Sequence, residues 1–167
     1  MRSSLSRSQA FIDILREAGF DFFTGVPDST FQPLLAEFAS RRELGYVTAV
    51  SENVAVGIAT GSYLGGRRPV IFMQNSGLAL AMNALGSLAA IYRIPMLLVV
   101  GWRGHDASDS PEHALLGAAT TALLKALRLP FFIPDAVSLA CDVARAAQTL
   151  DAQRRPCALV CRPGVVC

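Results

Sequence analysis

The chain of 167 residues is long enough for one well-packed domain, and its composition of 52% apolar and 17% charged residues excludes a disordered chain. The formal net charge is +2 and no more than two basic residues are adjacent, so the sequence gives no basis for nucleic-acid binding. The four cysteines lie near the C-terminus without a C-x-x-C pair, which predicts reduced thiols in a cytoplasmic protein.

Neither a signal peptide nor a membrane span is predicted. The first ten residues, MRSSLSRSQA, lack the apolar segment of a signal peptide. Residues 69–92 carry no formal charge and have the length of a membrane span. Because Gln74 and Asn75 interrupt this stretch and its hydrophobic period changes midway, it indicates a buried strand followed by a buried helix.

Predicted strands and helices alternate along the chain. Gly19 is expected to end the first helix, Ser110 and Pro111 to begin the fifth, and Asp135 to cap the last. This alternation is typical of an α/β domain, a three-layer α/β/α architecture with a six-stranded, mostly parallel sheet. Strands are predicted at 21–25, 45–50, 69–73, 95–101, 130–134 and 156–161, with helices at 8–18, 31–38, 51–64, 76–92, 111–127 and 136–150.

Four polar loops are expected to meet at one edge of this sheet. In open α/β sheets, ligands bind beyond the carboxyl ends of the strands. Most of the unusual polar residues fall in the loops that follow predicted strands, namely Gly25–Thr30, Val50–Asn53, Gln74–Gly77 and Gly101–His113. The sequence therefore predicts a binding site at this edge.

Three features of these loops could carry chemistry, and each also has a purely structural interpretation. Glu52 begins a small-residue helix directly after a strand, where it could equally complement the helix dipole. The pair Gln74 and Asn75 could reach a ligand or cap a helix. His113 is predicted near the third position of its helix, which favours a neutral imidazole able to exchange a proton, although a structural histidine is common there.

Several well-known ligand motifs are missing from the sequence. It contains no G-x-G-x-x-G, no G-x-x-x-x-G-K-[ST], no Gly-Asp-Gly, and no His, Cys, Asp or Glu cluster with metal-ligand spacing. A lone acid and a few amides without a phosphate site do not predict a self-sufficient enzyme.

The order and spacing of four motifs resemble a known family. The motifs are GVPDS (25–29), SENVAVGIATGSYLGG (51–66), MQNSGL (73–78), and the stretch from GWRG (101–104) to SPEHALLG (110–117). Together they resemble the pyrimidine-binding domain of thiamine-diphosphate-dependent 2-oxo acid decarboxylases, in the branch of the sulfopyruvate and phosphonopyruvate decarboxylases. The resemblance covers residues from about 8 to 164 and implies the thiamine-diphosphate-binding fold.

The resemblance implies a cofactor role for four residues. Thiamine diphosphate lies between two domains in this family, and Glu52 matches the catalytic glutamate that hydrogen-bonds the aminopyrimidine N1′ and activates the cofactor. Val26 and Pro27 match loop positions that pack on the cofactor, and Gln74 is expected to reach the cofactor or the substrate.

The resemblance also implies contacts with a 2-oxo acid. Ser29 matches a position that faces the substrate, with Asp28 beside it, and Asn75 matches a polar substrate contact. His113 resembles a catalytic histidine that serves substrate binding or proton transfer. Arg103 could hold an anionic substrate tail by a bidentate contact, or could be a solvated loop residue.

The resemblance implies a missing second half of the site. A diphosphate-binding domain with a Gly-Asp-Gly motif holds Mg²⁺ and the diphosphate in this family. Residues 1–167 are therefore expected to be a single pyrimidine-binding domain, the α subunit of a two-component decarboxylase with a β subunit, as α₂β₂ or larger. The small-residue helix and the uncharged stripe after Asn75 are candidate interfaces. The alternatives are a split enzyme that forms acyloins by carboligation, a non-catalytic partner that keeps the fold, and a disfavoured nucleotide-binding domain.

Overall fold

The structure, a computed structural model, describes residues 6–167. The prediction that the first ten residues are not a signal peptide falls partly on residues 1–5, which lie outside the described residues. Six strands and six α-helices alternate. The strands are β1 (Phe22–Gly25), β2 (Tyr46–Thr48), β3 (Pro69–Gln74), β4 (Leu97–Gly101), β5 (Phe131–Phe132) and β6 (Cys157–Cys161). The helices are α1 (Arg7–Glu17), α2 (Gln32–Ser40), α3 (Glu52–Leu64), α4 (Asn75–Ala84), α5 (Pro111–Ala126) and α6 (Leu139–Gln153).

The six strands form one sheet in the order β2-β1-β3-β4-β6-β5, and every neighbouring pair is parallel. The predicted six-stranded α/β fold is thus confirmed, with a fully parallel sheet. The chain runs from β1 outward to β2, then returns past β1 to β3 and continues in the opposite direction. This reversal between β1 and β3 opens a crevice at the carboxyl edge of the sheet.

Alternate side chains of the central strands fill two separate cores. Val70 and Phe72 of β3 face a core that is completed by α1, α2 and α6. Ile71 and Met73, the intervening residues, face a core that is completed by α3, α4 and α5. Because both faces are covered, the central strands are apolar throughout, and the predicted three-layer α/β/α arrangement is confirmed.

An aromatic cluster fixes the loop after β1. Phe72 lies against Phe31 with ring centroids 5.7 Å apart and against Phe38 at 5.6 Å, while Phe38 stacks on Tyr46 at 5.0 Å. Such pairs add about 0.5–1.5 kcal/mol each beyond the burial of their area. Phe31 ends the short 3₁₀ turn Ser29–Phe31, so this cluster anchors the loop in which Val26–Ser29 lie.

The edge strands are shorter than predicted. β2 has three residues and β5 has two, whereas the apolar runs suggested six and five. Both lie at an edge of the sheet, where a strand has one neighbour and pairing ends as soon as that neighbour diverges. The predicted helix at 76–92 also changes character, because α4 continues as a π-helix over Leu85–Ala90.

The predicted helix cap at Asp135 is wrong. The Asp135 carboxylate accepts hydrogen bonds from the backbone N–H of Val137 (2.8 Å) and of Ser138 (2.7 Å), which closes a turn before the helix. The N-cap of α6 is Ser138. An aspartate bonds the next N–H groups in the same way in a turn and at a cap, so the sequence could not separate the two. By contrast, Gly19 follows α1 with φ = +87°, as predicted.

Residues 69–92 form β3, α4 and the π-helical turn, which confirms the strand-then-helix interpretation of that uncharged stretch. Among residues 6–167, no helix combines the length and the apolar character needed to cross a membrane.

The cysteines differ in accessibility, which gives a test of the fold. Burial raises the pKa of the Cys157 thiol to about 12 and also raises that of Cys161, while Cys141 is exposed on α6. A thiol-specific disulfide reagent at neutral pH is expected to label Cys141 first and to leave Cys157 and Cys161 unlabelled until urea is added. Loss of the fast phase in Cys141→Ser is the control, and fast labelling of a β6 cysteine would contradict the fold.

Candidate active site

Glu52 lies at the crevice between β1 and β3. It is the first residue of α3, which packs against β1, β3 and α4. Its side chain is half-buried, and within residues 6–167 its carboxylate has no hydrogen-bond partner. A partly desolvated carboxylate without a partner is an available acceptor for a donor on a ligand.

The Glu52 side chain lies directly over Gly77 of α4. A Cβ at position 77 would lie 2.5 Å from the Glu52 Cγ and closer still to its carboxyl carbon and Oε1. The present position of the Glu52 side chain thus depends on the missing side chain of Gly77. This contact brings together two of the four loops that the sequence placed at this edge.

The loop after β1 presents the next candidates. Val26 is half-buried against the core formed with α3, α4 and α5, whereas Pro27 and Ser29 are exposed. The Asp28 carboxylate caps the following 3₁₀ turn by accepting from Thr30 N–H at 2.8 Å. Gly25 begins this loop where a Cβ would overlap the Phe72 carbonyl oxygen, so the backbone passes unusually close to β3.

The amides of Gln74 and Asn75, where β3 ends and α4 begins, have different hydrogen-bond partners. The half-buried Gln74 donates from Nε2 to the Ser76 hydroxyl at 3.0 Å. Asn75 is buried, with 1% of its surface exposed. Its Nδ2 donates to the Arg103 carbonyl oxygen (2.9 Å) and to the Thr120 hydroxyl (3.0 Å), and its Oδ1 accepts from Arg103 N–H (3.2 Å). Asn75 therefore joins α4, the loop after β4 and α5, and its predicted substrate contact stays a prediction.

Arg103 is held by an acid that the sequence analysis did not single out. Its Nε and Nη2 donate to the two carboxylate oxygens of Asp109 at 2.8 and 2.7 Å. Asp109 also accepts from Gly104 N–H at 2.6 Å and from Ser110 N–H at 2.8 Å. The Arg103 guanidinium and these N–H groups hold the pKa of Asp109 well below its ordinary range. The predicted loop arginine is thus oriented by the structure.

Two backbones touch where this loop crosses α5. A Cβ on Gly104 would overlap the His113 carbonyl oxygen, and one on Gly117 would overlap that of Gly104. Trp102 adds a hydrogen bond from its indole N–H to the Gly117 carbonyl oxygen at 2.8 Å. The half-buried His113 lies at the third position of α5, as predicted, and among residues 6–167 its imidazole takes part in no hydrogen bond.

Ser29 and Arg103 line one cleft. Its volume is about 410 Å³, and it lies between the loop after β1, the loop after β4 and the C-terminal segment. Asp28 is near enough to add to the electrostatic field at Arg103, where Asp109 is the largest cause of the raised pKa. Two predicted substrate residues thus share one space. The lining residues are Ser29, Thr30, Gln32, Pro33, Arg103, Pro163, Gly164 and Cys167.

Sequence reasoning missed Asp109, Thr120, Gly77 and His105. His105 Nε2 lies 2.8 Å from Asp106 Oδ2, and its Nδ1 is buried without a partner within residues 6–167. Asp109 lay in a loop that was noted for its polarity, and Gly77 in a motif that was quoted for its family likeness. Asp109 bonds Arg103, Gly104 and Ser110 of its own loop, so its position near Arg103 was an available signal. The contact of Gly77 with Glu52 and that of Thr120 with Asn75 depend on tertiary packing, which no local pattern encodes. The described residues contain no group of three or more His, Cys, Asp or Glu side chains that could hold a metal ion.

Comparison with known proteins agrees with this geometry. Residues 6–124 match the family model of the thiamine pyrophosphate enzyme N-terminal TPP-binding domain. The chain therefore belongs to this family. It is 32% identical over 130 residues to the sulfopyruvate decarboxylase subunit alpha of Methanococcus maripaludis, with 78% of each chain covered.

Two larger relatives contain a similar region. The chain is 36% identical to the phosphonopyruvate decarboxylase of Streptomyces hygroscopicus over 134 residues, which are 77% of this chain and 33% of that protein. A solved structure from Mycobacterium smegmatis, provisionally assigned as a thiamin diphosphate-dependent enzyme, superposes with a TM-score of 0.75 at 18% identity. The superposition covers 96% of this chain and 31% of that chain. This chain therefore spans about a third of the length of these two larger proteins.

Removal of the Asn75 side chain tests its linking role. Asn75→Ala is expected to lower the free energy of unfolding by about 2–4 kcal/mol, because it breaks three hydrogen bonds and leaves buried groups unpaired. Urea denaturation measures the change. Asn83→Ala, an exposed asparagine of the same helix, is the matched control, with an expected change within about 0.5 kcal/mol. Equal effects of the two substitutions would contradict the link.

Asp109 gives a prediction for pH dependence. Since folding lowers its pKa, it stabilises the fold above its ordinary pKa of about 3.9, and this contribution disappears as the pH falls through the folded value. The difference in unfolding free energy between the wild type and Asp109→Asn should be constant from about pH 5 to pH 8 and shrink below about pH 4. Urea denaturation at each pH checks this, with the exposed Glu17→Gln as control. A difference that grows on acidification would contradict it.

Proposed function

We propose that this chain is the pyrimidine-binding α subunit of a two-component, thiamine-diphosphate-dependent decarboxylase for a 2-oxo acid such as sulfopyruvate or phosphonopyruvate. The observation that carries the proposal is the half-buried Glu52 carboxylate at the sheet crevice, lying over Gly77 in a chain of this family. The match over 78% of a decarboxylase subunit alpha supports the subunit arrangement.

The residues at the crevice fit the aminopyrimidine half of thiamine diphosphate. Glu52 offers a carboxylate without a partner among residues 6–167, and Val26 supplies an adjacent apolar surface. When bound, this cofactor supplies the electron sink that makes loss of carbon dioxide from a 2-oxo acid possible. The role of Glu52 is to hold a proton at the ring nitrogen, since a carboxylate in a partly dry crevice binds such a donor more strongly than one in water. Pro27 and Gln74 are the proposed neighbouring cofactor contacts.

The cleft beside Arg103 fits the anionic substrate. Asp109 takes Nε and Nη2 of Arg103, so Nη1 is the edge of the guanidinium left for an anion. The exposed Ser29 hydroxyl lines the same cleft and can donate to the same group. A sulfonate or phosphonate tail is suited to this pair because its oxygens accept several hydrogen bonds at once. Asp28 and Asn75 are further proposed substrate residues: Asp28 adds to the electrostatic field at Arg103, and Asn75 holds the Arg103 backbone. His113 is the proposed group for substrate binding or proton transfer.

A separate β subunit would supply the diphosphate-binding domain and Mg²⁺. Support comes from the relatives of similar length that are named subunit alpha. The proposed assembly is α₂β₂ or larger, in the cytoplasm.

One face of the molecule suits a partner chain. Helices α3, α4 and α5, with the segments beside them, carry most of the large apolar side chains that are exposed among residues 6–167. Val50 is 89% exposed and Leu115 is 80% exposed. Exposed large apolar side chains on one layer of helices are candidates for a protein–protein interface. The residues are Val50, Val54, Leu64, Leu80, Ile91, Tyr92 and Leu115.

The proposal is tested by co-purifying this chain with the product of the adjacent reading frame. Carbon dioxide release is then measured from sulfopyruvate, phosphonopyruvate and pyruvate with thiamine diphosphate and Mg²⁺. Release by the mixture, but by neither chain alone, is the expected result. Product analysis separates an aldehyde from an acyloin. A complex that releases no carbon dioxide from any of these acids would exclude all three as substrates and leave another 2-oxo acid or a non-catalytic partner.

Glu52→Gln tests the residue assignment in that complex. The amide keeps the shape of the side chain but loses its charge, so turnover should fall by about 100-fold or more while the melting temperature is unchanged. Glu17 is exposed at the end of α1, which packs on the other side of the sheet from α3, so Glu17→Gln is the matched control and should keep full turnover. Wild-type turnover by Glu52→Gln would refute the role of Glu52.

A further inference from the structure

We infer that Gly77 is a positioning residue that sets the location of the Glu52 carboxylate by leaving room for it on α4. The inference rests on the proposed function of Glu52. Gly77 has no functional group of its own, so its proposed contribution is that it has no side chain.

The backbone does not explain why position 77 is glycine. Gly77 lies in the first turn of α4 and does not have a positive φ, so any L-residue could adopt its conformation. Glycine is among the least favourable residues within a helix, and alanine is the most favourable. Local physics therefore favours a side chain at this position.

Space explains the glycine instead. A Cβ at position 77 would overlap the Glu52 carboxyl group and lie 2.5 Å from its Cγ, well inside van der Waals contact. The overlapping atoms belong to the end of a flexible side chain and not to the backbone. The fold can therefore accept a methyl group by rotating Glu52 away, whereas the crevice would lose the carboxylate from its present position.

Opposite effects on stability and on the site follow. Gly77→Ala should leave the melting temperature equal to or above that of the wild type, because alanine favours the helix. It should at the same time displace the Glu52 carboxylate. A displacement of about 1 Å is enough to cost on the order of 100-fold in turnover.

The first test uses the full chain without cofactor. The ¹³C resonance of the Glu52 carboxyl carbon is identified by its loss in Glu52→Gln, and its position is then compared in Gly77→Ala and in Gly86→Ala. Gly86 is the matched control because it lies in the π-helical continuation of α4, where the nearest atom to a new Cβ is Leu127 Cδ2 at 3.3 Å. A shifted signal in Gly77→Ala alone is expected, and an unshifted signal would overturn the inference.

The second test uses the complex with its partner. Gly77→Ala should lower turnover by about 100-fold, with Gly86→Ala active. If Glu52→Gln is inactive and Gly77→Ala is fully active, the inference fails while the proposed function stands. If the wild-type complex itself is inactive, the proposed function fails, and the resonance still decides whether Gly77 positions Glu52. Should Gly77→Ala not fold, Glu52→Ala in the same chain must restore folding, because it removes the overlapping atoms; failure to do so would also refute the inference.

Discussion

The buried amide of Asn75 is the interaction on which the candidate site depends. It stands at the end of β3, where α4 begins, and holds both the loop after β4 and α5 through Arg103 and Thr120. A buried amide must satisfy its donors and acceptor, so a shift of either partner would leave polar groups unpaired. The position of Arg103 at the cleft, and the angle at which α5 presents His113, both follow from this link.

Two glycines also shape the site, because each allows a neighbouring group to come close to the backbone. Gly25 lets β1 lie near the Phe72 carbonyl group, and Gly77 leaves room for the Glu52 side chain of α3. The reversal of strand order between β1 and β3 opens the crevice at the same edge of the sheet. Glycines thus form part of the site. The polar groups near them, such as Glu52, are partly shielded from water.

The architecture could be predicted because long apolar runs and their hydrophobic periodicity are recognisable in the sequence. The six strands, their parallel arrangement and the placement of Glu52 after β2 follow from such runs and from the rule for strand ends. The contacts within the site could not be predicted, because Asn75 and Thr120 are 45 positions apart and meet only after α4 and α5 pack. The prediction of a helix cap at Asp135 was wrong for a local reason, because an aspartate makes the same hydrogen bonds in a turn and at a helix cap.

The close contact of Gly104 with α5 limits which residues of this region can be substituted. Residues 104 and 117 meet through main-chain atoms, so no compensating side-chain change elsewhere can replace either glycine. Between them, Asp106–Ser108 are exposed, and their side-chain hydrogen bonds stay within His105–Ser108. Such a segment can exchange its side chains without endangering the fold. It is where a common scaffold could evolve a preference for one acid over another.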